Sequence, residues 1–169
     1  MQPFAKPKRC VIADDVRASR KTVSAWLRQN EFECTEVEDG LLAWDAICEQ
    51  PPDLLVTDLE MPNLCGLELL EKVRHAENEQ IRQIPVLVMT SLRDGQTLNV
   101  VRSLGGSGLL HKPLDMQATL SVILNLVAGH DNIRSYSQCV GDAGSPIDGA
   151  ISPTLRRLLK TVAKHESSG

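Results

Sequence analysis

The sequence predicts an α/β protein, a doubly wound five-stranded parallel sheet with a short helical tail. Three observations predict it. Short apolar runs recur near 10–13, 32–37, 54–57, 84–89 and 109–113, the length of buried strands. Between them apolar residues fall at helical spacing, and strands joined by helical crossovers lie parallel with both faces covered. Several runs also stop abruptly on acids or hydroxyls, at Asp14-Asp15, Asp58 and Thr90-Ser91.

In order, Cys10-Val11-Ile12-Ala13 is the first strand, and a helix follows with Val16, Val23, Trp26 and Leu27 on one face and Asn30 as its stop. Phe32 to Val37 reads as the second strand. The turn Glu38-Asp39-Gly40 opens a second helix with Leu41, Trp44, Ala46 and Ile47 on or near its inner side, ended by Pro51-Pro52. The third strand runs into Asp58, and Leu64, Leu67, Leu70 and Val73 mark the helix after it. Pro85 sits at the opening of the fourth strand, where a missing donor is tolerated. The helix expected over 94–104 is the weakest and therefore the least rigidly held. A fifth strand stops at Pro113, and Asp115 caps a last helix with Leu120, Ile123, Leu124 and Val127 inward.

The chain has 169 residues, 42% hydrophobic and 24% charged. That suits one domain plus a small appendage, large enough to fold without disulfides or a structural metal. A net charge of −4 and a pI near 5.6 disfavour a general nucleic-acid or anionic-lipid binder. Five cysteines with no C-x-x-C pair read as reduced thiols, which suits a cytoplasmic protein. No apolar run approaches the ~18 residues of a membrane span, so membrane insertion is not expected.

In open α/β sheets, ligands bind beyond the carboxyl ends of the strands at the switch in strand order. Asp14, Asp15, Asp58, Thr90, Ser91 and Lys112 all fall at that edge. Singly, each has a bland explanation: an acid can cap a helix, a threonine can start a turn, a lysine can end a strand in solvent. Together they form a constellation. At ~4 Å and an effective dielectric of ~20, each pair of like carboxylates costs on the order of 4 kcal/mol, so cations must answer them. Lys112 supplies one charge, and Mg²⁺ suits the carboxylate oxygens. A carboxylate beside such a metal, with a lysine and a hydroxyl at hand, is equipped to take up a phosphoryl group as an acyl phosphate. Being ionised already, it needs no general base.

At these residues the sequence resembles the receiver domain of two-component response regulators, over about 7–129. The resemblance rests on Asp14-Asp15, the run DLEMPNLCGLEL at 58–69, Met89-Thr90-Ser91 and His111-Lys112-Pro113. It implies a flavodoxin-like fold in which Asp58 accepts phosphate from a phosphohistidine on a sensor histidine kinase or phosphotransfer protein. It further implies Mg²⁺ held by the side chains of Asp15 and Asp58 and the backbone carbonyl of Glu60, with Asp14 acting largely through metal-bound water. Thr90 would be the switch hydroxyl, Lys112 the phosphate-binding cation, and Lys112-Pro113 a cis bond. Pro62 and Gly66 match the family's loop after the acceptor. Receivers often carry an aromatic residue where this chain has Leu109, so switching is expected through the loop after Thr90 and the weak helix behind it.

Residues 130–151 read as a linker and 152–165 as an amphipathic helix. Ser152 and Pro153 start it, Leu155, Leu158, Leu159 and Val162 form its apolar stripe, and Arg156, Arg157, Lys160 and Lys164 lie mostly opposite. The helix could fold back on the receiver, pair in a homodimer or dock a downstream protein; membrane-surface or nucleic-acid contact is disfavoured. The tail is too short for a winged-helix output domain, and no effector enzyme is expected. The leading expectation is therefore a phosphoacceptor regulator acting through protein contacts. The alternative is a receiver-fold scaffold that works without phosphorylation. An aspartyl phosphatase or a nucleotide-binding protein lacks its motif after the first strand. His75, His111, His130 and His165 are not assigned chemistry, and Trp26 and Trp44 are read as core residues.

Overall fold

A computed structural model of the chain describes residues 6–129 and 152–166. The expected linker at 130–151, with His130 and Cys139, lies outside the described residues. Five strands are present: β1 (Lys8–Ala13), β2 (Phe32–Val37), β3 (Leu54–Asp58), β4 (Val86–Thr90) and β5 (Gly108–His111). The helices are α1 (Arg17–Arg28), α2 (Gly40–Glu49), α3 (Gly66–Arg74), α4 (Glu79–Arg82), α5 (Gln96–Ser103), α6 (Met116–Val127) and α7 (Pro153–Glu166). All strand pairs are parallel, in the order β2-β1-β3-β4-β5. The order reverses beside β1, so the carboxyl ends of β1 and β3 flank the crevice where such sheets bind ligands.

Alternation along the strands sorts the core into two layers. Val11, Ala13, Leu55, Val86, Val88 and Leu109 face a cluster with α2, α3, α5 and α7. Cys10, Ile12, Leu54, Val56, Leu87, Met89 and Leu110 face α1 and α6. Polar caps fix several helix starts. Asp39 accepts from the Leu42 amide at 2.8 Å and Asp115 from the Ala118 amide at 2.8 Å. Ser152 Oγ accepts from the Leu155 amide at 3.1 Å and begins the tail helix.

Several details differ from the sequence expectation. Val16 is the residue before α1 rather than part of its inner face, and is 50% exposed. Leu41 and Leu124, expected inward, are 47% and 48% exposed. A periodic pattern gives a stripe wider than the surface the sheet can cover, so residues at its margin face solvent. Trp26 is only partly buried, while Trp44 packs on the margin of the α2–α3 layer with Lys72 Nζ 5.3 Å from its ring centre. The single-turn helix α4 was not expected. Asn78 caps it by accepting from the Gln80 amide, and it turns Ile81 into the core.

Of the tail readings, folding back is the one the structure shows. Leu155, Leu158 and Val162 are buried in the same cluster as Leu67 and Leu70 of α3 and Leu109 of β5. The stripe that would pair in a dimer is thereby covered within the chain.

Gly66, the first residue of α3, lies against the backbone just past β3. Its amide donates to the Leu59 carbonyl at 2.8 Å, and a Cβ there would run into the carbonyl of Asp58 and the Cα of Leu59. Gly66→Ala is expected to cost ~1–3 kcal/mol of stability, as overpacking does, and to displace the end of β3. Chemical denaturation checks this; a midpoint equal to that of the wild type contradicts the tight approach.

Candidate functional site

Strand register builds the site. Ala13 pairs with Thr57 across β1 and β3, so the next residue on each strand is an acid, Asp14 beside Asp58. Asp58 pairs with Met89, and Thr90 with His111, so Thr90 and Lys112 follow at the same edge. The Lys112 amide donates to the Thr90 carbonyl at 2.8 Å, and the Lys112-Pro113 bond is cis. Four strands thus deliver their polar termini to one place.

Lys112 Nζ lies 2.9 Å from Asp14 Oδ2 and 3.2 Å from Asp58 Oδ2. The remaining carboxylate oxygens are held by the backbone. Asp14 Oδ1 accepts from the Val16 amide at 2.9 Å, and Asp58 Oδ1 from the Leu59 amide at 2.8 Å. Asp14 is fully buried, Asp58 is 8% exposed, and Asp15 is open to solvent. One carboxylate oxygen from each of these three acids lies within 4.8 Å of the others.

Charge in this pocket is not balanced. The Asp58 carboxyl stands at about 6: burial pushes it up most, the Lys112 ammonium pulls it down, and the Asp14 charge adds to the rise. For Lys112, burial opposes the cation, but the hydrogen bond to Asp14 and the charges of Asp58 and Asp14 outweigh it and hold its pKa above the usual value. One ammonium therefore answers only part of the charge of three clustered acids. A set of hard carboxylate oxygens with excess negative charge, one of them exposed, fits a divalent cation that keeps several waters, such as Mg²⁺. A carboxylate at the rim of such a site, with a lysine on it, can attack an electrophilic phosphorus.

The structure brings together Asp14, Asp15, Asp58 and Lys112. Thr90 is buried at the adjacent strand end, where its Oγ accepts from the Leu92 amide at 3.0 Å. Glu60 follows Asp58 on the loop to α3, but its side chain turns to the tail, with Oε2 3.7 Å from Arg157 Nη2. His111 adjoins Lys112 and lines, with Leu114, Asp115 and Thr119, a pocket between β5 and α6.

Sequence reasoning missed the surroundings of the site. Asn63, in a left-handed conformation with φ 69°, donates from Nδ2 to Asp39 Oδ2 at 2.9 Å and ties the loop after β3 to the start of α2. A groove of about 550 Å³ beside the acids is lined by Asp15, Glu60 and Met61 on one side and Arg157, Leu158 and Thr161 on the other. The only signal for that wall was the basic amphipathic pattern of α7, which says nothing about where the helix lands.

Comparisons with known proteins agree with this geometry. The family model described as response regulator receiver domain matches residues 10–124. The CAI-1 autoinducer sensor kinase/phosphatase CqsS of Vibrio cholerae is 30% identical over 128 residues, covering 76% of this chain and 18% of that protein. Two-component response regulator ORR5 of Oryza sativa subsp. japonica is 32% identical over 102 residues, 60% of this chain and 75% of that one. The chain thus spans less than a fifth of the first relative and three quarters of the second. Among solved structures, chemotaxis response regulator CheY4 of Vibrio cholerae superposes with a TM-score of 0.65 at 25% identity, covering 72% of this chain and 99% of that one. The parallel sheet, the acids at its switch point and the match over 10–124 lead to one conclusion: the chain belongs to the family of response regulator receiver domains.

Proposed function

We propose that the chain is a phosphoacceptor of a two-component pathway, with Asp58 as the residue modified. The observation that carries the proposal is the Lys112 ammonium set between Asp14 and Asp58 at the mouth of a three-acid cluster. A carboxylate oxygen of Asp58 attacks the phosphorus of a phosphohistidine on a sensor kinase or phosphotransfer protein. An O–P bond forms, the P–N bond breaks, and its electron pair returns to the donor's imidazole. Lys112 steadies the negative charge that builds on the transferring oxygens, and Thr90 donates a hydrogen bond to one of them. Asp15 and Asp58, with the backbone carbonyl of Glu60, would hold Mg²⁺, and Asp14 would act on it through water. The cation, when bound, supplies charge neutralisation at the phosphoryl oxygens.

The chain works as a regulator through protein contacts, rather than by turning over a substrate of its own. Residues 7–129 form the receiver unit and α7 its appended element. A cytoplasmic site of action suits the four described cysteines, all free thiols, two of them buried. Among the described residues no helix is long and apolar enough to cross a membrane.

Incubation with Mg²⁺ and a small phosphodonor is expected to add ~80 Da to the intact protein, stable in acid and labile in base. Asp58→Asn should abolish the adduct, and Lys112→Ala should slow its formation by at least ~100-fold, as loss of a charge-stabilising donor does. A folded wild type that takes up no phosphate, or an adduct that survives Asp58→Asn, defeats the assignment; the scaffold reading would then be favoured.

The raised pKa of Asp58 gives a second expectation. Its folded pKa lies above the ordinary 3.8, so the fold favours the protonated acid. The resulting penalty is fully present above about pH 6 and is relieved as pH falls from about 6 toward 4. Metal-free Asp58→Asn is therefore expected to be more stable than wild type at pH 7 by on the order of 3 kcal/mol, with the gap closing by pH 4. Saturating Mg²⁺ at about 100 times its Kd should raise wild-type stability by ~2.7 kcal/mol at pH 7 and much less at pH 5. Thermal melts with and without chelator check both; a magnesium shift unaltered by pH and by Asp15→Asn contradicts them.

A further inference from the structure

The tail helix is tied to both loops that leave the acidic pocket. Its apolar stripe, Leu155, Leu158 and Val162, is buried in the layer that also holds Leu109 of β5, with Leu92 and Leu98 at its margin. Arg157 meets Glu60, two residues beyond Asp58. At the start of α7, Ser152 faces Asp94, four residues beyond Thr90. Burial pushes the Asp94 carboxyl up, but Ser152 and Thr97 hold it below the usual value. Asp94 Oδ1 also accepts from the amide and hydroxyl of Thr97, at 2.9 and 2.8 Å, and so anchors α5. Its Oδ2 is buried and has no other hydrogen-bond partner of full geometry, so the carboxylate depends on this approach of Ser152.

Resting on the assignment of Asp58 as phosphoacceptor, we propose that α7 is a displaceable intramolecular ligand of the receiver, released when Asp58 is phosphorylated. Thr90 Oγ now accepts from the Leu92 amide. To reach a phosphoryl oxygen on Asp58, the Thr90 side chain turns toward β3 and either draws the loop at 91–95 with it or leaves the Leu92 amide behind. Either movement shifts Asp94 and Leu92, and with them the seat of the first turn of α7. A packed interface has few intermediate positions, so a small shift there converts to undocking. The charge of the phosphoryl group pulls the other way on Arg157. That guanidinium is 70% exposed and its partner 45%, so screening leaves the pull weak against the loss of the apolar seat. Leu109, fully buried in the same layer, gives the fold a packing contact with the tail's layer in place of a mobile aromatic ring.

Linkage makes the coupling reciprocal. Amide hydrogen exchange over 153–164 in the full-length chain, read by mass spectrometry, is expected to speed up by about 10-fold or more with Mg²⁺ and phosphoramidate, and to stay unchanged in Asp58→Asn. Leu158→Asp, which loosens α7, should raise the phosphorylated fraction at limiting phosphoramidate by about 5-fold. Ser152→Ala, which removes a single hydroxyl, should shift it in the same direction and guards against misfolding of the first variant. Unchanged or slower exchange with Asp58 phosphorylated overturns the coupling, as does wild-type uptake in both variants. Absence of any adduct on Asp58 in the wild type removes the phosphoacceptor assignment itself, and the coupling with it.

Discussion

The ammonium of Lys112, 2.9 Å from Asp14 and 3.2 Å from Asp58, is the contact on which the rest of the site depends. It spans the sheet from the end of β5 to the ends of β1 and β3, and so requires the parallel register of four strands to be correct. Two carboxylates at such close range repel each other by several kcal/mol in a partly dry environment. The lysine makes their approach tolerable without cancelling the charge. Burial raises the Asp58 carboxyl to about 6 against the pull of Lys112, and the uncancelled charge of the cluster leaves room for a hard cation. The proposed acceptor, cation site and phosphate-binding group all draw on this one arrangement of charge.

Packing explains why that arrangement holds its shape. Helices cover both faces of the sheet, and β3 and β4 are buried along their whole length and end on Asp58 and Thr90 at the carboxyl-terminal edge. Gly66 lets α3 begin against the backbone of Asp58. Asn63 pins the loop after β3 to the cap of α2. The loop after β4 is held by the bond from the Leu92 amide to Thr90, by Asp94 on Thr97, and by Arg93, whose Nη2 donates to the Lys112 carbonyl at 3.2 Å. It is also where the tail helix begins its contact with the receiver.

Much of this was legible in the sequence. Asp14, Asp58 and Thr90 each terminate an apolar run, and Lys112 precedes a proline; strand ends in a parallel sheet converge, so position along the chain predicted proximity in space. Ser152, Pro153 and the leucine stripe located α7 to within a residue or two. What periodicity could not supply is the surface opposite each stripe. It assigned Leu41 and Leu124 inward when the sheet had no area left to cover them. It gave α7 an apolar face but not α3 as its seat, and it could not pair Arg157 with Glu60 or Ser152 with Asp94. Those are contacts between segments far apart in sequence, fixed by packing after the sheet has formed.

The central claim is that an incompletely neutralised acid cluster prepares Asp58 for a cation and a phosphoryl group. Carboxyl ¹³C chemical shifts of Asp58, followed against pH in metal-free protein, test it most directly. The account predicts a titration centred near 6, moving sharply downward when Mg²⁺ is added. A midpoint near the ordinary aspartate value of about 4, indifferent to Mg²⁺, would contradict it.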